Sequence, residues 1–244
     1  RRIACPTGKG FQRVAWDLKY PATDPIRLND GAPEENFNNT GFLAPPGTYT
    51  ATLSKQIDGV VTTLGNPVTC IVEPLRKSGA LPGNEIAVTN AFWRSYEEVA
   101  SVIGAEQILL SSCNARITAL QKALRMGKIA PGTLDQQVHT AREKWMTLQE
   151  QMNGNGSKTQ IGEKYNPTIN FRMFKILLSI GTSTYGPTKT NQKAMDIIRH
   201  DLADMHEKLT ALSIELDQLE NQATKAGAPW IESEVLPPLP SGHQ

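Results

Sequence analysis

The sequence predicts an α+β protein of two parts, an N-terminal antiparallel Ig-like β-sandwich followed by an antiparallel four-helix bundle. Three observations carry that prediction. Apolar residues alternate with period two up to about Pro74 and recur at three- and four-residue steps from Asn90 onward. A stretch rich in Gly and Pro, Lys77 to Glu85, separates the two patterns. Helix start and stop signals then punctuate the second part, whereas turn residues crowd the first. The expected division is a β-sandwich module over 1–76, a linker over 77–88, a helical bundle over 89–228 and an irregular Pro-rich tail over 229–244.

In Val14-Ala-Trp16-Asp-Leu18-Lys-Tyr20, large apolar residues alternate with small or polar ones, as a half-buried strand requires. Tyr20 to Thr48 has the Pro, Asn, Asp and Gly of a loop, and Pro45-Pro46-Gly47 gives a rigid entry to the next strand. Thr48 to Leu53 places Tyr49, Ala51 and Leu53 on one face. Asp58-Gly59 predicts a tight hairpin turn, with Val60 to Leu64 and Val68 to Val72 as the returning strands. An antiparallel sandwich of immunoglobulin type is the natural assembly.

The first helix is expected over Asn90 to Arg125, with Phe92, Tyr96, Val99, Ile103, Leu110, Cys113, Ile117, Leu120 and Leu124 as its apolar row. The second starts at Thr133, a capping residue with Gln136 placed to reach back. Its row is Leu134, Val138, Ala141, Trp145, Leu148 and Met152, and Asn153-Gly-Asn-Gly156 ends it in a loop. Asn166 caps the third, Pro167 takes its first position, and Ile169, Met173, Ile176 and Ile180 form its row. In the last, Met195, Ile198, Leu202, Met205, Leu209, Leu212, Leu216, Leu219 and Ala223 alternate three- and four-residue steps without a break. Left wet, such a seam would forfeit about 2 kcal/mol per large side chain. It faces either the other helices of an up-down bundle or a second chain in a coiled coil.

Composition excludes several classes. With 39% hydrophobic and 20% charged residues and a net charge of +1, the 244 residues are ordinary for a globular protein and show no basic stripe for nucleic acid. No apolar run approaches the roughly 18 residues of a membrane span. Cys5, Cys70 and Cys113 have no metal-binding spacing. They are either small buried apolar residues, or Cys5 and Cys70 pair across the first module and leave Cys113 spare. The chain begins without Met or a signal peptide, which suggests a fragment or a processed product beginning at Arg1.

Candidate chemistry is sparse. The nucleophile elbow GxSxG, the P-loop and the dinucleotide motif GxGxxG are all absent, and no cofactor is expected. Glu106 falls where the first helix's row needs an apolar residue. Either it is a buried acid with a raised pKa, or the row shifts onto Val102 and Leu109 and turns it outward; the shift is the expected outcome. Asp196, His200, Asp204 and Glu207 share a face of the last helix, but His206 lies six residues from His200, not the four of a helical zinc pair. A solvated polar face is expected there, with no metal site, and His139 and His243 have no partners in sequence. A glycosidase needs two carboxylates facing across a cleft. Asp17, Asp24, Asp30, Glu34, Glu35, Asp58 and Glu73 fall mostly in loops or turns. Among the aromatics, Trp16, Tyr20 and Tyr49 alternate inward, and Phe37 and Phe42 in the Asn-rich loop are the candidate ligand-binding pair.

Several segments together resemble a known family. They are Trp16-Asp-Leu-Lys-Tyr-Pro21, Ala44-Pro-Pro-Gly-Thr-Tyr-Thr-Ala-Thr-Leu53 with Asp58-Gly59, Tyr165-Asn-Pro-Thr-Ile-Asn-Phe-Arg172, Ser183-Thr-Tyr-Gly-Pro-Thr188 and Gly227-Ala-Pro-Trp230. Over nearly the whole chain, and in the same order, they resemble the C-terminal region of secreted bacterial sortilin-like proteins commonly labelled glycosyl hydrolases. In that family a propeller of BNR (Asp-box) repeats precedes an Ig-like module and a helical region. The Asp-box signature itself is absent here, so no catalytic residue of the family carries over. The resemblance implies a non-catalytic accessory region, extracellular, periplasmic or at the cell surface. Its partners would be the upstream propeller and another surface protein or glycan. A carbohydrate-binding module resting on Phe37 and Phe42, and a region completing an active site on the propeller, are the rival expectations.

Overall fold

The computed structural model describes residues 1–28, 40–74, 86–127, 130, 132–164, 166–181 and 186–232. Six strands come first: β1 (Lys19–Pro21), β2 (Thr40–Leu43), β3 (Gly47–Ala51), β4 (Ser54–Ile57), β5 (Val60–Thr63) and β6 (Val68–Val72). Five helices follow: α1 (Ile86–Met126), α2 (Thr133–Asn153), α3 (Gly156–Gln160), α4 (Ile169–Ile180) and α5 (Lys189–Lys225). The class is α+β. Contacts divide the chain into two compact units, Arg1–Glu98 with Ser179–Thr190, and Val99–Leu178 with Asn191–Gln244, so α1 contributes residues to both. Most of the expected linker, residues 77–85, lies outside the described residues.

In the first unit the strands pair antiparallel as β1–β2, β3–β6 and β4–β5. The last two pairs are successive stretches of one ribbon. Ser54 pairs with Thr63 and Ala51 with Val68, while Leu64 N–H donates to the Leu53 carbonyl between them. Two residues on one side thus face four on the other, an irregularity that admits Pro67, which has no N–H to give a ladder. Asp58 and Gly59 turn the tip with φ of 49° and 81°. Positive φ at both central residues is the type I′ geometry that matches strand twist, and glycine adopts it without strain. The hairpin predicted at this dipeptide is therefore present.

The strand expected over Val14 to Tyr20 shrinks to β1. Leu18 has a φ of 58°, outside the extended region, and its carbonyl accepts from Ala44 N–H instead of continuing a ladder. β2 emerges from what composition marked as loop. The described strands form three two-stranded pairings, and every residue of β4 and β5 is exposed.

In the second unit every expected apolar row points inward. Leu110, Cys113, Ile117 and Leu120 of α1, Val138, Ala141, Leu148 and Met152 of α2, and all nine seam residues of α5 are buried. Side-chain contacts give the directions. Gln107, Leu110 and Asn114 of α1 meet Asn153, Trp145 and Arg142 of α2, so these two run antiparallel. Lys144 and Gln151 of α2 meet Glu215 and Asp204 of α5, again antiparallel. Glu106 and Arg116 of α1 meet His206 and Glu220 of α5, so the first and last helices run parallel. A strict up-down order of four would make them antiparallel. The order differs because the chain between α2 and α5 carries two helices: the five-residue α3, capped by the Asn155 side chain, and α4, tied to the end of α2 by Asn170 Nδ2 donating to Asn153 Oδ1 at 2.6 Å.

The caps move slightly from their expected places. Thr133 is already helical, Gly132 holds the cap position, and Asp135 rather than Gln136 reaches back, its Oδ2 accepting from Gly132 N–H at 3.0 Å. Thr168, not Asn166, caps α4, its hydroxyl accepting from Phe171 N–H at 3.1 Å. At the end of α5, Ala228 N–H reaches the Ala223 carbonyl and Gly227 N–H the Thr224 carbonyl, the paired bonds of a Schellman motif.

Candidate functional site

Glu106 is in the buried row of α1, against the expected phase shift. Its relative exposure is 4%, while Val102 on the alternative row is 42% exposed. The reason is mechanical: a rigid helix turning Glu106 outward would also withdraw Ile103 and Leu110, each worth about 1.5–3 kcal/mol of burial. The acid is carried inward with them. His206 on α5 meets it, with Nδ1 3.0 Å from Oε1. Oε2 is buried and has no hydrogen-bond partner among the described residues. Burial pushes the carboxyl above its usual range, and the hydrogen bond and charge of His206 oppose that rise.

A carboxylate holding one imidazole nitrogen is how a general base is oriented. Catalysis would further require a reacting group within reach and shelter from water. The His206 side chain is 68% exposed, and among the described residues no other side chain opposes the rise at Glu106. What the pair does on this geometry is join α1 to α5 with a titratable link.

Ten residues further along α1, Arg116 forms a second link. Its Nε and Nη2 donate to the two carboxylate oxygens of Glu220 at 2.7 and 2.6 Å, and Nη2 also reaches Asp217 at 2.6 Å. Nη1 lies 3.4 Å from the Ser213 hydroxyl. Glu220 is buried, and the planar fork of the guanidinium fits its carboxylate in the two-pronged geometry that makes such pairs strong. The paired carboxylates hold the guanidinium well above its ordinary pKa. Cys113, one turn away, is fully buried, and desolvation pushes its thiol up, away from the reactive thiolate. Trp145 completes the set by donating Nε1–H to the Leu110 carbonyl at 2.8 Å.

Phe37 lies outside the described residues. Phe42 is half-buried in the first unit, its ring centroid 3.9 Å from that of Trp93 and 5.5 Å from that of Tyr96 on α1. Its N–H donates to Glu97 Oε1 at 3.2 Å, and Thr23 Oγ1 donates to the Glu97 carbonyl. Gly41 beside it has no room for a side chain: an added Cβ would lie 2.7 Å from both Glu97 Oε1 and the Pro21 carbonyl oxygen. Phe42 thus helps seat β2 on α1.

Of the α5 polar residues, Asp196, His200 and Glu207 are exposed, and Asp204 is half-buried between Lys208 and Gln151. Among the described residues no group of three or more His, Cys, Asp or Glu could hold a metal ion. His139 lies 3.5 Å from Glu143 on its own helix, and His243 lies outside the described residues. Cys5 and Cys70 are free and exposed, so only Cys113 fits the expectation of a small buried residue. Of the loop carboxylates, Asp17 pairs with Arg1, whose hydrogen bond holds it below the ordinary carboxylate range. Asp30, Glu34 and Glu35 lie outside the described residues. No helix of the described residues is long and apolar enough to cross a membrane.

The sequence pointed to Glu106 but not to its partner. His206 follows the seam residue Met205, a flanking position from which a side chain can reach a neighbouring helix, and that was the available signal. Comparison with family models, with curated proteins and with solved structures found no match.

Proposed function

We propose that this chain is a non-catalytic accessory region of a secreted, glycosyl-hydrolase-like sortilin-type protein, acting by support and docking rather than by chemistry. Its β part is one layer of an Ig-like sandwich, and its helical part is a bundle of α1, α2 and α5 with α4 beside α2. The upstream propeller and another cell-surface protein or glycan are the proposed partners.

The observation that carries this is an apolar face of the ribbon that is left largely uncovered among the described residues. Pairing of Tyr49 with Cys70 and Ala51 with Val68 puts these residues and Val72 on one side, with Thr48, Thr50, Thr69 and Ile71 on the other. The alternation marks the first side as the core side. Only Tyr49 and Val72 are half-buried, Tyr49 against the edge of Trp16 at 5.0 Å between centroids, while Val68 is 66% exposed. A two-stranded ribbon is marginal by itself, and a second layer over that side would complete it. Tyr49 also supports the Ig-like reading. Its hydroxyl donates to the Pro45 carbonyl, four residues upstream, at 2.6 Å, as in the tyrosine corner of such sandwiches. Burial and a hydrogen bond with Tyr20 push its phenol up to about 12.

The parent protein with and without residues 1–244 provides the test. Loss of protease resistance or of cell-surface retention, with glycoside turnover per folded propeller unchanged, is the expected result. A fall in turnover while the propeller stays folded would overturn the proposal, because the region would then complete an active site.

A further inference from the structure

α4 is apolar on two opposite faces. Ile169, Met173, Ile176 and Ile180 form its buried row. At about 100° per residue, Phe171, Phe174 and Leu178 lie on the far side. Those three are 43%, 52% and 58% exposed, with Leu177 beside them. A surface helix ordinarily carries charge on that side, and a helix apolar all round is ordinarily covered all round. The steps from Phe171 to Phe174 and on to Leu178 are three and four residues, the spacing of a seam that meets another helix.

Charge selects the occupant. α4 holds Arg172 and Lys175 and no acid. Lys175 is exposed on the same outer face, its Nζ 5.2 Å from the centroid of the Phe171 ring. A second copy of this face would bring lysine towards lysine with no carboxylate on either α4 to offset it. Recognition of an anionic membrane rests on clusters of about four to eight basic residues, and α4 has fewer. An acidic helix meets both features of the ridge.

We propose that the outer ridge of α4, Phe171, Phe174 and Leu178 with Lys175 at its margin, docks an amphipathic partner helix whose apolar seam is flanked by Asp or Glu. This deepens the docking part of the proposed function and rests on it. The ridge packs seam against seam, as in a coiled coil, and Lys175 selects the acidic flank.

The whole chain can be titrated with two labelled helical peptides, both with Leu at three- and four-residue steps, one flanked by Glu and one by Lys, and followed by fluorescence anisotropy. Binding of the Glu peptide is expected, with the Lys peptide weaker by about tenfold or more. Phe174→Ser and Leu178→Ser should each weaken the Glu peptide by about tenfold, with the thermal midpoint of the chain held as the check on folding. Failure of the Glu peptide to bind, equal binding of the two peptides, or indifference to both substitutions would overturn the proposal. So would phosphatidylserine vesicles binding the chain through Phe174, or a dimer of the chain dissolved by Phe174→Ser. Because the titration uses this chain alone, its failure leaves the comparison of parent proteins standing, and the reverse also holds.

Discussion

In α5 nine apolar residues at three- and four-residue steps are all buried, whereas in β4 and β5 every residue is exposed, Ile57, Val60 and Val61 among them. Both regions carry apolar side chains. They differ in what each element can complete by itself. A helix closes its backbone hydrogen bonds internally and needs only a neighbour for its stripe, and α1, α2 and α5 supply one another. A two-stranded ribbon leaves its outer edges unpaired and has no layer of its own to cover its core side. The helical unit is thus held by its own packing, and the ribbon, among the described residues, by its backbone ladder, a hairpin turn, a tyrosine hydroxyl and one ring contact, that of Tyr49 with Trp16.

The largest expected effect is at the Arg116–Glu220 pair. Arg116→Ala would leave Glu220 buried without its cation, and breaking one side of such a pair costs about 3–5 kcal/mol. Replacing both with apolar residues of similar volume should recover much of that loss, because no charge is then left buried. Urea titration of the wild type and the two variants measures it. If Arg116→Ala cost no more than an exposed substitution, the helical unit would not owe its stability to fixed internal pairing, and the contrast with the ribbon would weaken.

Leu216→Ala comes next. Its side chain is fully buried in the α5 seam, and truncation there should cost about 2–5 kcal/mol, the range set by how far the cavity collapses. The same deletion at Val61 on β5, 53% exposed, should change stability by no more than about 0.5 kcal/mol. Parallel melts of the two variants compare the regions directly. Similar losses at both sites would mean that the ribbon is covered and the comparison false.

Glu106 and His206 sharpen the comparison by pH. Burial raises the Glu106 pKa in the folded chain, so the folded state holds that proton to higher pH than the unfolded chain does. The stability this confers is complete below the unfolded value of 4.5 and is lost as pH rises through the raised folded value. Glu106→Gln should remove that decline, so the difference between wild type and variant moves against the wild type as pH rises and then levels. His206→Ala should cost about 1–3 kcal/mol near neutral pH by leaving the buried acid unpaired. It should also carry the decline to higher pH, because His206 lowers the Glu106 pKa. Chemical denaturation at a series of pH values tests both. A decline unchanged in Glu106→Gln would assign it to another group.

How much of this was legible in sequence follows the same division. The helical rows were readable residue by residue, because a helix's inward face is fixed by spacing alone. Only Glu106 was misjudged, since its phase depended on the burial of Ile103 and Leu110 to either side. The Asp58-Gly59 turn was equally readable, since positive φ is a local demand. Leu18, β2 and the parallel course of α1 and α5 were not. A positive φ at a leucine contradicts local preference, β2 is defined by its pairing with β1, and helix direction depends on contacts about a hundred residues apart. His206 belongs to the same class, for nothing near it in sequence announces Glu106. Phe42 was legible as an aromatic in a loop but not as the partner of Trp93.

The smallest expected effect is at Ile71, on the Thr side of the ribbon. It pairs with Thr48 and is 72% exposed, with Thr50 and Thr69 as its neighbours on that side. If the Tyr49 side is the one built to be covered, Ile71→Thr removes an apolar side chain from water-facing ground and keeps a β-branched residue suited to the strand. The change in stability should then stay within about 0.5 kcal/mol, and the amide protons of Tyr49 and Cys70 should exchange at unaltered rates. Val68→Thr on the other side should behave alike in this chain alone but lose stability in the proposed parent protein, where a second layer would cover it. A loss at Ile71 in the parent, with none at Val68, would reverse the two sides of the ribbon: the face marked by Tyr49, Ala51 and Val72 would be the wet one, and alternation would have misled about which side the molecule buries.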